Sequence, residues 1–160
     1  MDERQLRLSP EFALVEALRT VPVLQDADGG VKVAALQPKK GWKPPFAFYI
    51  PTGDSEEQTL GGPSGLQSFT ATLHFVGGTH KGMQQLCQRA KRALLAMQGS
   101  VYATDPSDPE LLQGSILIEF VDLQQSSPDL YEAEVSYYRR MYSLRIHYQT
   151  EEVYEEVISG

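Results

Sequence analysis

Cysteine is nearly absent. The 160 residues hold one, Cys87, so no disulfide can form within the chain, and a reducing cytoplasm is the expected setting. Long apolar runs are missing as well: no stretch approaches the about 18 residues that a membrane-spanning helix needs. The opening Met1-Asp2-Glu3-Arg4 is acidic and lacks the apolar centre of a secretory leader. There is no basic excess either. The net charge of −7 argues against broad binding to nucleic acid or anionic membrane, because neutralising phosphates takes clustered Lys and Arg.

Catalytic and metal-binding signatures are wanting too. The histidines are His74, His80 and His147, with no H-x-H or H-E-x-x-H spacing among them, so no metal site is expected. Gly62-Pro63-Ser64-Gly65 lacks the spacing of a G-x-S-x-G nucleophile elbow. Gly77-Gly78-Thr79-His80-Lys81-Gly82 lies between a strand and a helix but lacks the phosphate-loop spacing, and reads as helix capping. The carboxylate pairs Glu56-Glu57, Glu151-Glu152 and Glu155-Glu156 fall in polar segments, where nothing would drive their pKa values apart for acid–base work. No catalytic residue, cofactor or metal is expected.

What is present is ordinary globular material. Apolar residues make up 41% and charged residues 22%, and the length suits one self-supporting domain over residues 1–160. Ser9-Pro10 followed by the stripe Phe12, Leu14, Val15 and Leu18 predicts a helix over about 10–20, ended by Pro22. Val31-Lys32-Val33 predicts a short strand and Phe46–Ile50 another, with the proline-broken stretch Pro38–Pro45 as a loop between them. Residues 51–65, rich in glycine and polar side chains, read as a long loop: either an arm that orders on a neighbour or a mobile hairpin tip.

Phe69, Ala71, Leu73 and Phe75 alternate with polar residues, which predicts a strand with His74 on its wet face. Thr79 is placed to cap a helix carrying Met83, Leu86, Cys87, Ala90, Leu94 and Met97 at three- and four-residue steps, stopped by Gly99. Cys87 falls on the apolar stripe and reads as a core side chain. Ile116–Leu123 predicts a strand, Ser126–Asp129 a turn, and Tyr131–Tyr148 a long partner strand. Apolar residues on both parities of that partner predict a bulge near Tyr137–Met141. The acidic tail, 149–160, is compatible with strand, helix or no fixed structure. The order predicts an α+β fold: a mainly antiparallel sheet with two helices packed on one face.

The last strand interleaves Tyr131, Tyr137, Tyr138, Tyr142 and Tyr148 with Arg139, Arg140 and Arg145. Tyr and Arg are enriched at protein interfaces. The candidate interface set is therefore Arg139, Arg140, Tyr142 and Arg145, with Arg89 and Arg92 of the central helix and Glu151 and Glu152 of the tail, a basic strand meeting a neighbour's acids. A single-stranded nucleic-acid platform and plain two-faced packing are the alternatives for this stretch.

Three segments carry a resemblance: Phe12-Ala13-Leu14-Val15-Glu16-Ala17-Leu18-Arg19, Pro45-Phe46-Ala47-Phe48-Tyr49-Ile50-Pro51, and Arg139–Tyr148 with its Leu144-Arg145-Ile146-His147-Tyr148 ending. With the strand Phe69–Val76 running into Gln88-Arg89-Ala90-Lys91-Arg92-Ala93-Leu94, they resemble the tail-completion, or tail-terminator, proteins of long-tailed bacteriophages and prophages. That resemblance spans about residues 10–148. It implies a homo-oligomeric ring, a hexamer, that caps the tail tube and meets tail-tube and head–tail connector proteins in the virion, assembled in the bacterial cytoplasm. It also implies neither catalysis nor a cofactor. A small adaptor using the long loop, or an enzyme gripping an anion with Arg89 or Arg92, are the other readings.

Overall fold

The structure, a computed structural model, describes residues 9–59, 62–108 and 113–152. Helix α1 (Glu11–Arg19) buries Ala13, Leu14, Ala17 and Leu18. The Ser9 hydroxyl accepts a hydrogen bond from the Glu11 N–H at 3.3 Å, so serine does help start this helix. Pro22 then opens a single 3₁₀ turn, Pro22–Leu24. Helix α2 (His80–Leu95) starts where Thr79 Oγ1 accepts from the Gly82 N–H at 2.9 Å. Past its end, Gly99 takes φ +79°, a conformation glycine adopts without steric cost.

The strands are β1 (Val33–Ala35), β2 (Phe46–Thr59), β3 (Gly62–Gly77), β4 (Val101–Ala103), β5 (Gly114–Gln125), β6 (Leu130–Glu132) and β7 (Tyr137–Glu152). They form one seven-stranded sheet in the order β1-β2-β3-β7-β5-β4, with β6 also on β7. Only β1–β2 is parallel among the pairings, and the rest are antiparallel. The fold is thus α+β with a mostly antiparallel sheet.

Two expectations need correcting. Residues 51–59 and 62–65 are not loop but the continuation of β2 and β3, paired as far as Thr59 with Gly62. The last β3–β7 pair is Leu66 with Gln149, so beyond it the hairpin runs on as a two-stranded ribbon. Its backbone groups bond to one another, which is why a polar, glycine-rich sequence can hold a strand there. Leu60 and Gly61 of the expected loop lie outside the described residues, as does the expected tail beyond Glu152.

The second correction concerns Tyr131–Tyr148. The chain reverses at 133–136, with Ser136 at φ 58°, and β7 then pairs with β3 without a register shift. The predicted bulge near Tyr137–Met141 is therefore a hairpin turn just before it. An irregularity does occur in the partner, between Ile118 and Phe120 of β5.

Parity places the core. The buried residues of both helices join Phe69, Ala71, Leu73 and Phe75 of β3 and Tyr142, Leu144, Ile146 and Tyr148 of β7 in one cluster. Each fully buried side chain of this size stabilises by about 1.5–3 kcal/mol. The junction of β3 and α2 is tight: a Cβ on Gly77 would stand 2.6 Å from the Met83 backbone nitrogen. A second, smaller cluster lies on the opposite parity, where Trp42 and Tyr137 pack over Phe46, Phe48 and Val76.

Candidate subunit interface

The four candidates on β7 divide by parity. Arg140 pairs with Phe75 and Tyr142 with Leu73, which puts both on the core face. The Arg140 guanidinium grips Asp129 with two bonds, Nε to Oδ1 at 2.6 Å and Nη2 to Oδ2 at 2.9 Å. His80 Nε2 lies 3.0 Å from the same Oδ2. One carboxylate thus ties the start of α2 to the β5–β6 turn and to β7. These contacts, the Arg140 bonds foremost, hold the Asp129 carboxyl at about 2, and the bidentate partner raises the arginine above its ordinary range. Arg140 Nη1 also reaches the Tyr142 hydroxyl at 3.5 Å. Tyr142 is buried, and burial pushes its phenol up. Cys87 is buried too, as expected, and its thiol is pushed up to about 11 chiefly by burial.

Arg139 and Arg145 point to the other face. Arg139 Nη2 meets Glu132 Oε1 across the hairpin at 3.0 Å. It stands beside His74, which is not on a wet face as the alternation predicted. His74 is only 7% exposed, stacked on Phe48 with ring centroids 4.3 Å apart and planes 6° apart. Burial first, and the Arg139 charge second, lower its pKa, so the neutral imidazole is favoured. The alternation was right about which face His74 takes; the Trp42 loop and Tyr137 cover that face, and nothing in the strand's own pattern announces this.

Arg145 is exposed and lines a trough of about 440 Å³ with Thr52, Thr70, Thr72, Asp122 and Ser143. Thr52 and Thr70 share a hydrogen bond there at 2.9 Å. Phe120, 51% exposed, lies beyond it with its ring 6.0 Å from His147. Arg89 and Arg92 are exposed on α2, and Glu151 is exposed on β7 opposite Ser115. Glu152 pairs through its backbone with Gly114.

The eight candidates therefore do not form one patch. Arg139, Arg140 and Tyr142 have partners within the chain, whereas Arg145 on the sheet, Arg89 and Arg92 together on α2, and Glu151 near the end of β7 are exposed. Asp129 was missed in the sequence. The available signal was its place across a tight hairpin from Arg140, visible only once the turn at 133–136 is recognised.

Where β2 and β5 run past the end strands β1 and β4, they carry features that discourage pairing. Pro51 brings no N–H to β2, which also has register shifts at Pro51/Gly53 and Glu56/Gln58. On β5 the Val121 N–H is taken by Gln98 Oε1 at 3.0 Å. Among the described residues no group of His, Cys, Asp and Glu could hold a metal ion, and no helix is long and apolar enough to cross a membrane.

No family model and no curated protein matches the chain. Solved structures do match it. One chain from the virion of a native gene transfer agent (GTA) particle superposes with a TM-score of 0.50 and 11% identity, over 85% of this chain and 91% of that one. At that identity the likeness is one of fold.

Proposed function

We propose that this protein is a structural component of a phage-like virion: a tail-completion, or tail-terminator, subunit that closes with copies of itself into a ring at the head-proximal end of the tail tube. The observation that carries this reading is the shared fold, which extends over nearly the whole of a chain whose source is a gene transfer agent virion. The end of the β2–β3 hairpin supports it, since its strands stay paired beyond the last β3–β7 pair and offer a neighbour a backbone-paired contact element. Buried residues of both helices cluster with one parity of β3 and β7, and on this reading the opposite parity, with the Arg145 trough, is left for a neighbour.

The ring would be a hexamer, with tail-tube and head–tail connector proteins as its axial partners, assembled in the bacterial cytoplasm and retained in the virion. Its lateral contacts would use the ribbon, the outward residues Arg145, Arg89, Arg92 and Glu151, and Glu152 next along the chain. The irregular outer stretch of β2 and the Val121 N–H taken up on β5 make continuous sheet pairing along those strands the weaker option. The role needs no catalytic group and no cofactor.

The test is the mass of the purified protein by light scattering over a range of concentrations, with electron microscopy of the same sample. A closed ring of about six copies, the symmetric assembly of a heterologous contact, is the expected result. A monomer at every concentration removes the preformed ring and favours a monomeric adaptor.

A further inference from the structure

The junction of β3 and α2 holds a second cavity, of about 250 Å³, whose walls include Val23, Pro45, Gly77, Gly82 and Leu86, with Arg89 at its rim. The walls are mainly aliphatic and glycine-rich, with Thr79 and Gln85 as their uncharged polar members, and Val23 is 37% exposed. Helix α2 contains no acidic residue and carries Lys81, Arg89, Lys91 and Arg92. Among the described residues no carboxylate pairs with Arg89. The pocket therefore asks for a branched aliphatic side chain with a carboxylate next to it.

The chain itself contains that chemistry. Glu151, Glu152, Glu155 and Glu156 are followed directly by Val157 and Ile158, in a protein whose net charge is −7. We propose that the pocket receives Val157 or Ile158 from a second copy of this chain, with Glu155 or Glu156 set against Arg89. The proposal rests on the ring reading above and names the contact that closes the ring.

The register says why the donor is another copy. Gly77, in the pocket wall, pairs with Tyr138 at the start of β7. Glu152 lies fourteen residues further along the same strand, roughly 46 Å of contour at about 3.3 Å per residue. Val157 is five residues beyond Glu152 and reaches at most about 18 Å from it. The acidic segment cannot fold back to its own pocket. A tail of one subunit in the pocket of the next is a heterologous contact, the kind that closes into a ring.

The experiment uses the full chain carrying Gln85→Cys and Val157→Cys. Gln85 lines the pocket and is exposed, whereas the natural Cys87 is buried. Mild oxidation should give a ladder of covalently joined copies on a non-reducing gel. Adding Arg89→Glu should weaken the ladder about tenfold, the loss expected when an interface charge pair is turned into a repulsive one, and Glu155→Lys with Glu156→Lys should restore it. Val157→Asp with Ile158→Asp in the otherwise natural chain should weaken self-association without altering the circular dichroism of the body.

If the natural protein forms a ring but the cysteine pair gives no ladder, or joins only within one chain, the tail-in-pocket contact is overturned and the ring reading stands. A ring unchanged by Val157→Asp with Ile158→Asp assigns the pocket to another protein's chain and also overturns it. A natural protein that is monomeric at every concentration removes both.

Discussion

The two faces of β3 and β7 share a backbone and differ in almost everything else. On one face Phe75, Leu73, Tyr142, Leu144 and Ile146 meet the helices in a continuous apolar core. On the other, the same strands carry Thr70, Thr72, Ser143 and Arg145 around an open trough, with a small aromatic cover at one end only. Period-2 alternation lets the first face be fixed by packing while the second stays open to substitution. A surface that can contact a partner is therefore compatible with a strand that holds the fold together. Charge follows the same division: Arg140 on the core face is held by Asp129, whereas Arg145 on the open face is exposed.

The contrast can be broken experimentally, most severely on the packed face. Phe75→Ala should lower unfolding stability by about 3–5 kcal/mol in urea titration, and a loss below about 1 kcal/mol would mean that Phe75 is not part of the packed core. Asp129→Ala should cost about 2 kcal/mol, since it strips a two-bond partner from Arg140. Because the folded state holds this carboxyl at about 2 against its usual 3.8, its contribution is present above pH 3.8 and is lost as pH falls toward 2. Asp129→Asn should flatten that acid limb.

His74 gives a smaller effect with the same sign. Its pKa is lowered in the folded state from 6.5, so the unfolded chain takes up a proton more readily. Stability should be full above pH 6.5 and decline below it, and His74→Leu should reduce the slope between pH 7 and pH 5. The smallest effect belongs to the open face. Thr72→Ala should shift stability by no more than about 0.5 kcal/mol, and Arg145→Glu likewise, although the latter should change self-association measured by light scattering.

Elements with a strong apolar period were legible in the sequence. Helix α2 needed only its three- and four-residue steps, the Thr79 cap and Gly99; the centre of β3 needed only its alternation. The outer parts of β2 and β3 were not legible, because Gly53, Gly61, Gly62, Pro63 and Gly65 and the polar residues between them show no apolar alternation. The three-residue β4 is too short to show a period at all. The turn at Ala133-Glu134-Val135-Ser136 contains no Gly, Pro, Asn or Asp, and its left-handed residue is a serine, so composition hid it. As for the candidate site, sequence identified the charged and aromatic residues but not their partners. Asp129 and Glu132, brought across the hairpin to Arg140 and Arg139, depend on that same hidden turn.

The β2–β3 hairpin has one further property. Past Leu66 it adds the pairs Gln58 with Pro63 and Thr59 with Gly62, beyond the irregularity between Glu56 and Gln58, so its reach is set by residue count on each strand. Two residues added to each strand would lengthen it by about 6.6 Å and leave every side chain on its original face, whereas one added to each would swap the faces. The hairpin is thus a ruler whose graduations come in twos. A lineage could reset the spacing between this subunit and whatever its arm touches without disturbing a single contact in the core.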